Sequence, residues 1–268
     1  MIDVGLPPYA YEYDGYAIAK FMSTPEFQTD FLDGKLFFNK SDFFMMGNTV
    51  GVSDFTEGQS IIAQPTEEKL VTGKIEVCNS EAFMVFRDYT NMPDKYPGLL
   101  VADYSFSENR NRKIISFYSM FVSSEKNRIS PFSERMQQEF GQYAVIILNR
   151  QEFFKRVENA LRLEVQVRDA KMGFVTYKPE EEMSGLVEWN PFLKPENYDY
   201  QNEFRISFLN DNDAPLKLNL GSDIRDIAVP IVAEDLYENT FMADGKIYYS
   251  ITDRVADRKV LLDVPSDA

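Results

Sequence analysis

Short runs rich in β-branched and aromatic residues recur along this chain, and they confine it to folds organised around a sheet. Residues 16–22, 35–38, 60–63, 70–71, 74–78, 82–87, 98–104 and 113–121 have this composition, and 163–167, 173–177, 200–209, 216–220 and 228–232 repeat it. Bounded by polar or Gly/Pro-containing stretches, such runs read as strands. Residues 143–148 are continuously apolar, the pattern of a strand covered on both faces. Asp244-Gly245 between apolar runs predicts a hairpin.

Few segments compete as helices. Ser23 and Glu26 have capping-box spacing with Pro25 in the first turn, Phe27, Phe31 and Leu32 supply an apolar stripe, and Gly34 is a natural stop. Residues 41–46 and 133–140 read as short helices. Asn149 and Glu152 again have capping spacing, ahead of Phe153, Phe154, Val157 and Leu161 at helical intervals. With no repeat and no low-complexity linker, the expected fold is α+β. It is a single mixed domain, residues 1–254, with a mainly antiparallel, strongly bent sheet or two sheets flanked by a few helices. A charged C-terminal tail, residues 255–268, follows it.

Composition narrows the chemistry. The 22 Phe and 15 Tyr provide ample core material. The chain has no histidine, so a Ser-His-Asp triad, a Cys-His pair and His-containing metal motifs are all excluded. Cys78 is the only cysteine; it reads as a small buried hydrophobe at a strand end, and no metal is expected. Glycine-rich dinucleotide and phosphate loops are missing. Asn210-Asp211-Asn212-Asp213 fails calcium-loop spacing, because Pro215 and Leu216 stand where an oxygen ligand and a glycine are required; the run reads as a turn. A net charge of −15 disfavours non-specific nucleic-acid binding. No basic residue precedes an apolar run at the start, and no window has the apolar length of a membrane span. These features point to a cytoplasmic protein, monomeric or weakly oligomeric, with no membrane partner.

One segment gathers polar side chains. If residues 200–208 alternate as a strand, Gln201, Glu203, Arg205 and Ser207 share one face, and Tyr200, Phe204, Ile206 and Phe208 the other. The plain structural account is a half-exposed strand with Glu203 and Arg205 as ordinary partners. The functional account is a Gln-x-Glu pair of the kind found in one class of ADP-ribosyltransferases. There the carboxylate stabilises oxocarbenium-like charge as nicotinamide leaves, and the amide orients the acceptor. Asp54 and Glu57, in a polar loop with Gly51 and Gly58, read as solvated residues or as a lid or substrate loop.

The order of motifs extends the likeness. The chain resembles a group of uncharacterised bacterial and phage-borne proteins in Leu32-Asp33-Gly34-Lys35-Leu36-Phe37-Phe38, Phe43-Phe44, Asp54 and Glu57-Gly58. It does so again in Lys194-Pro195-Glu196-Asn197-Tyr198-Asp199-Tyr200-Gln201-Asn202-Glu203-Phe204-Arg205. The motifs are scattered over residues 16–232. That group is similar in layout to ADP-ribosyltransferase-like folds. The resemblance implies an NAD-using transferase acting on a macromolecular acceptor, a toxin or a factor of bacterial defence and phage conflict. The alternative is a non-catalytic scaffold that binds a protein partner. Glu203 and Gln201 are the implied catalytic pair, with Arg205 beside NAD. The first NAD contact falls near Lys20, where the family carries His or Arg, with Arg87 as a fallback; the middle contact falls on Ser119 or Tyr118. A third class, an acidic mimic of nucleic acid, would need a regular acidic stripe, which the chain lacks.

Overall fold

The structure is a computed structural model. It describes residues 6–46, 57, 61–62, 82–88, 100–106, 111–123, 125–126, 128–130, 133–179, 182, 185–186, 190–234, 240–243, 246–250 and 258–263. The strands in chain order begin with β1 (Gly15–Met22), β2 (Lys35–Lys40), β3 (Ile61–Ile62), β4 (Ala82–Asp88), β5 (Leu100–Phe106) and β6 (Arg112–Ser123). Next come β7 (Arg128–Ile129), β8 (Tyr143–Ile147), β9 (Arg168–Phe174), β10 (Thr176–Lys178), β11 (Gly185–Leu186) and β12 (Leu193–Pro195). The last are β13 (Glu203–Leu209), β14 (Leu216–Asn219), β15 (Ala228–Val232), β16 (Thr240–Ala243), β17 (Lys246–Ser250) and β18 (Arg258–Asp263). Four helices are described: α1 (Pro25–Leu32), α2 (Ser41–Met46), α3 (Glu134–Phe140) and α4 (Arg150–Leu163).

The fold is α+β, with a nine-stranded antiparallel sheet. Its spine is β6. On one edge, residues 118–122 pair with β1 and residues 113–114 pair with β2; on the other, residues 112–118 pair with β13 and 122–123 with β7. Residues 115–117 therefore meet β13 on one side and neither β1 nor β2 on the other, so the sheet forks there. Beyond the fork, β1 continues to β8 and β15, β2 to β14, and β13 to β9. Smaller sheets join β4 to β5, β3 to β11, β10 to β12 and β16 through β18. The strands flanking Asp244-Gly245 pair with Ala243 opposite Lys246, as the hairpin signal requires. The expected tail contains the paired strand β18.

Both faces of the sheet are covered, which is why β6 is buried at every position but Ser116. One face carries Tyr16, Ile18, Phe117, Phe121, Val145, Phe204, Ile206 and Phe208, packed under Phe31 and Leu32 of α1 and Phe153, Val157 and Leu161 of α4. The opposite face carries Ala17, Ala19, Phe21, Tyr118, Met120, Ile146 and Val229, with Met136 of α3 against them.

Local signals decide the helices. Asn149 caps α4, its side-chain oxygen accepting from Glu152 N at 3.0 Å. The cap of α1 is Thr24 rather than Ser23, with Thr24 Oγ1 accepting from Phe27 N at 3.3 Å. Phe27 is exposed instead of joining the apolar stripe. Gly34 has φ +79°, and a Cβ there would lie 2.2 Å from the Ser222 carbonyl oxygen, so only glycine turns the chain from α1 into β2.

Some strand expectations need correction. Residues 163–167 are not a strand: α4 runs through Leu163, and the strand starts only at Arg168, after a positive φ of 71° at Gln166. Residues 173–177 divide between the end of β9 and the start of β10. Residues 70–71 and 74–78, with Cys78, and Asp54 lie outside the described residues. No helix among the described residues is long and apolar enough to cross a membrane.

Candidate functional site

The segment before β13 departs from simple alternation. Glu196–Gln201 form a 3-10 helix that ends on Asn202 in the left-handed region, with φ 38° and ψ 51°. Asparagine tolerates that conformation better than most residues. The strand therefore begins at Glu203, and Gln201 and Tyr200 do not share its alternation. The polar face is not half-exposed either: Glu203, Arg205 and Ser207 are all buried.

Gln201 nevertheless reaches Glu203 through Lys194, at the neighbouring strand β12. The Lys194 ammonium donates to Gln201 Oε1 at 2.8 Å and to Glu203 Oε1 at 2.5 Å. Arg205 Nε donates to Glu203 Oε2 at 2.7 Å, so both carboxylate oxygens of Glu203 are engaged. The same guanidinium donates through Nη1 to the Pro191 carbonyl at 2.5 Å and lies 3.1 Å from Glu57 Oε2. Glu57 is buried and bound to this cluster, so it is not a solvated loop residue. Behind Glu203, its backbone N–H donates to the Tyr177 hydroxyl at 2.9 Å. Tyr177 stands on β10, directly beside Lys194 in the parallel β10–β12 pair.

Lys194 and Arg205 thus meet Glu203 and Glu57 in a buried cluster of both charges. Burial alone would raise the Glu203 pKa, but the charges of Arg205 and Lys194 and their hydrogen bonds prevail and hold it far below the usual carboxylate range. The carboxylate stays ionised.

The remaining candidates divide between the two faces. Residues directly opposite each other on paired strands share a face. Tyr118 is opposite Glu203 across β6 and β13, so these two stand side by side. Burial pushes the Tyr118 phenol up to about 12, against hydrogen bonds with the Asn202 side chain and the Ser133 backbone. Ser119 is opposite Ile18, and Lys20 is opposite Val145, so both belong to the face covered by α1 and α4. Lys20, Ser119 and Glu203 do not converge on one face. Ser119 Oγ is buried with no hydrogen-bond partner among the described residues. Lys20 is half-buried and is the first residue of β1 beyond its pairing with β6. Burial lowers its pKa to about 8, with the charge of Glu203 opposing the shift. Arg87 lies in β4, outside the described sheet network of Glu203.

Sequence reasoning gave no role to Lys194 or Tyr177. Lys194 stands in the sequence as the first residue of the Lys194–Arg205 motif, but its reach to Glu203 depends on where β12 packs, which no local signal gives. Nothing local marks Tyr177, whose place depends on the β10–β12 pairing. Among the described residues, no group of His, Cys, Asp and Glu is arranged to hold a metal ion. Comparisons of the chain with family models, with curated proteins and with solved structures find no match.

Proposed function

We propose that the chain is an ADP-ribosyltransferase-like protein that transfers ADP-ribose from NAD to a macromolecular acceptor in bacterial or phage conflict. The observation that supports this most is the joining of Gln201 and Glu203 by one ammonium, with Tyr118 directly opposite Glu203. A carboxylate that Arg205 and Lys194 hold in its ionised form suits electrostatic stabilisation of an oxocarbenium-like centre, because no proton has to be removed first. In this reading Glu203 Oε1 exchanges Lys194 for the nicotinamide-ribose hydroxyl, and Gln201 orients the acceptor. Tyr118 takes the middle NAD contact in preference to Ser119, because it shares the face of Glu203.

The test follows labelled NAD with cell lysate as the acceptor source. Glu203→Gln should slow nicotinamide release by about 100- to 1,000-fold. Gln201→Ala should reduce transfer more than NAD hydrolysis. Unfolding curves for each variant separate lost chemistry from lost fold. Wild-type protein that neither binds nor turns over NAD sinks this reading.

A second reading, a non-catalytic scaffold that binds a protein partner, draws on a different observation. Both Glu203 oxygens are occupied, and the residue is only 5% exposed. Under this reading the cluster is a structural fastening, NAD is left untouched, and a purified partner forms a stoichiometric complex with the wild-type chain.

A further inference from the structure

The cluster around Glu203 continues to the molecular surface in one direction. Gln201 Nε2 donates to the Tyr200 hydroxyl at 3.1 Å, and that hydroxyl donates to Glu139 Oε2 on α3. Glu139 in turn accepts from Arg135 Nη2 at 3.1 Å, and the Arg135 guanidinium lies 3.6 Å above the Tyr200 ring. Arg135 is half exposed, whereas Glu139 is largely buried. An ordered polar path therefore runs from α3 to β13.

The donor directions along this path are set by chemistry. An ammonium only donates, so the Gln201 atom facing Lys194 must be the amide oxygen. The amide nitrogen then faces Tyr200 and needs an acceptor. An ionised Glu139 only accepts, so the Tyr200 proton points to it and leaves the phenolic lone pairs for Gln201. Turning the amide over would set its N–H groups against the Lys194 ammonium and its oxygen against a hydroxyl whose proton is already committed. Each partner excludes the alternative orientation of the next.

We infer that Tyr200, held by Glu139, is a positioning residue that fixes the orientation of the Gln201 amide and so links the α3 surface to the Glu203 cluster. Its proposed consequence for acceptor transfer rests on the transferase reading; the orientation itself does not. Removing the Tyr200 hydroxyl keeps the amide oxygen on Lys194 but takes from the amide nitrogen the acceptor that tethers it, so the amide is held from one side instead of two.

The experiment uses the full chain with isotope-labelled glutamine and compares wild type, Tyr200→Phe and Glu139→Gln by nuclear magnetic resonance. In wild type the Gln201 side-chain amide should give a resolved, slowly exchanging pair of signals. Both variants should shift and broaden that pair while circular dichroism is unchanged. Glu139→Gln serves as the second arm should Tyr200→Phe fold poorly. It should also bring the Tyr200 phenol down from about 12, where burial and Glu139 hold it. Unaltered Gln201 signals in both variants, or an unmoved phenol titration in Glu139→Gln, overturn the positioning role. If wild type turns over NAD, Tyr200→Phe should lower acceptor transfer by up to about 100-fold with NAD hydrolysis retained, as expected for lost orientation. Equal loss of both activities overturns the role. Absence of NAD turnover in wild type counts against the transferase reading alone, and the amide signals then decide the positioning role by themselves.

Discussion

At the scale of single residues, Arg205 is the member of the cluster with the most to hold. It is the guanidinium shared by Glu203, Glu57 and the Pro191 carbonyl. Replacing it with methionine keeps much of the volume but leaves two buried carboxylates short of their common partner. Removal of one member of a buried ion pair typically costs about 3–5 kcal/mol, because the remaining charge stays desolvated. Arg205→Met should lose about that much stability in urea unfolding. Adding Glu203→Gln to it should restore part of the loss, since one stranded charge is then gone. A loss for Arg205→Met no larger than that of an exposed charge would mean that the cluster is solvated. Much of this was beyond the sequence. Glu203 and Arg205 on one strand face were readable from alternation. Gln201 was misread as part of that strand, because the left-handed turn at Asn202 interrupts a polarity pattern that looks continuous. Lys20 and Ser119 are joined to Glu203 by the resemblance alone; the strand register, which sets Ser119 opposite Ile18 and Lys20 opposite Val145, is a long-range property that alternation within one strand does not reveal.

At the scale of elements, legibility follows how local the cause is. In α4 the signals that start and pattern the helix lie within a few residues: the Asn149 cap, the apolar spacing, and the Arg156–Glu152 pair at 3.1 Å. That helix was readable almost residue by residue. Residues 163–167 alternate in polarity as convincingly as a strand, but the helix propagates through Leu163 and the chain then turns. The prediction belonging to this scale concerns the cap. Asn149→Ala should cost about 1 kcal/mol by chemical denaturation, and Asn149→Asp should restore it, because both natural side chains accept from Glu152 N. A cost shared equally by Asp and Ala would show that the amide group, rather than an accepting oxygen, matters there.

At the scale of the whole molecule, pH dependence gathers contributions from both sheet faces. Lys20 has a folded pKa of about 8 against an ordinary 10.5. Between those values the unfolded chain binds more protons than the folded one, so stability rises with pH. Tyr118 and Tyr200 have folded values near 12 against an ordinary 10.0, so above pH 10 the folded state retains protons that the unfolded chain releases, and stability falls. Unfolding free energy should therefore climb from about pH 8 to about pH 10 and decline beyond it. Lys20→Met should flatten the climb and leave the decline; an unaltered climb in that variant would assign it to other groups. The fork in β6 has a consequence of another kind, in the timing of assembly. Among the described residues, strand β1 pairs with β6 and β8, and β2 with β6 and β14, all of which come much later in the chain. A nascent chain that has not yet reached β6 therefore holds two strands whose described partners are still to be made. Contacts this distant close slowly. The arrival of β6 then gives both a partner at once, while β8, β13, β14 and β15 are still to be made.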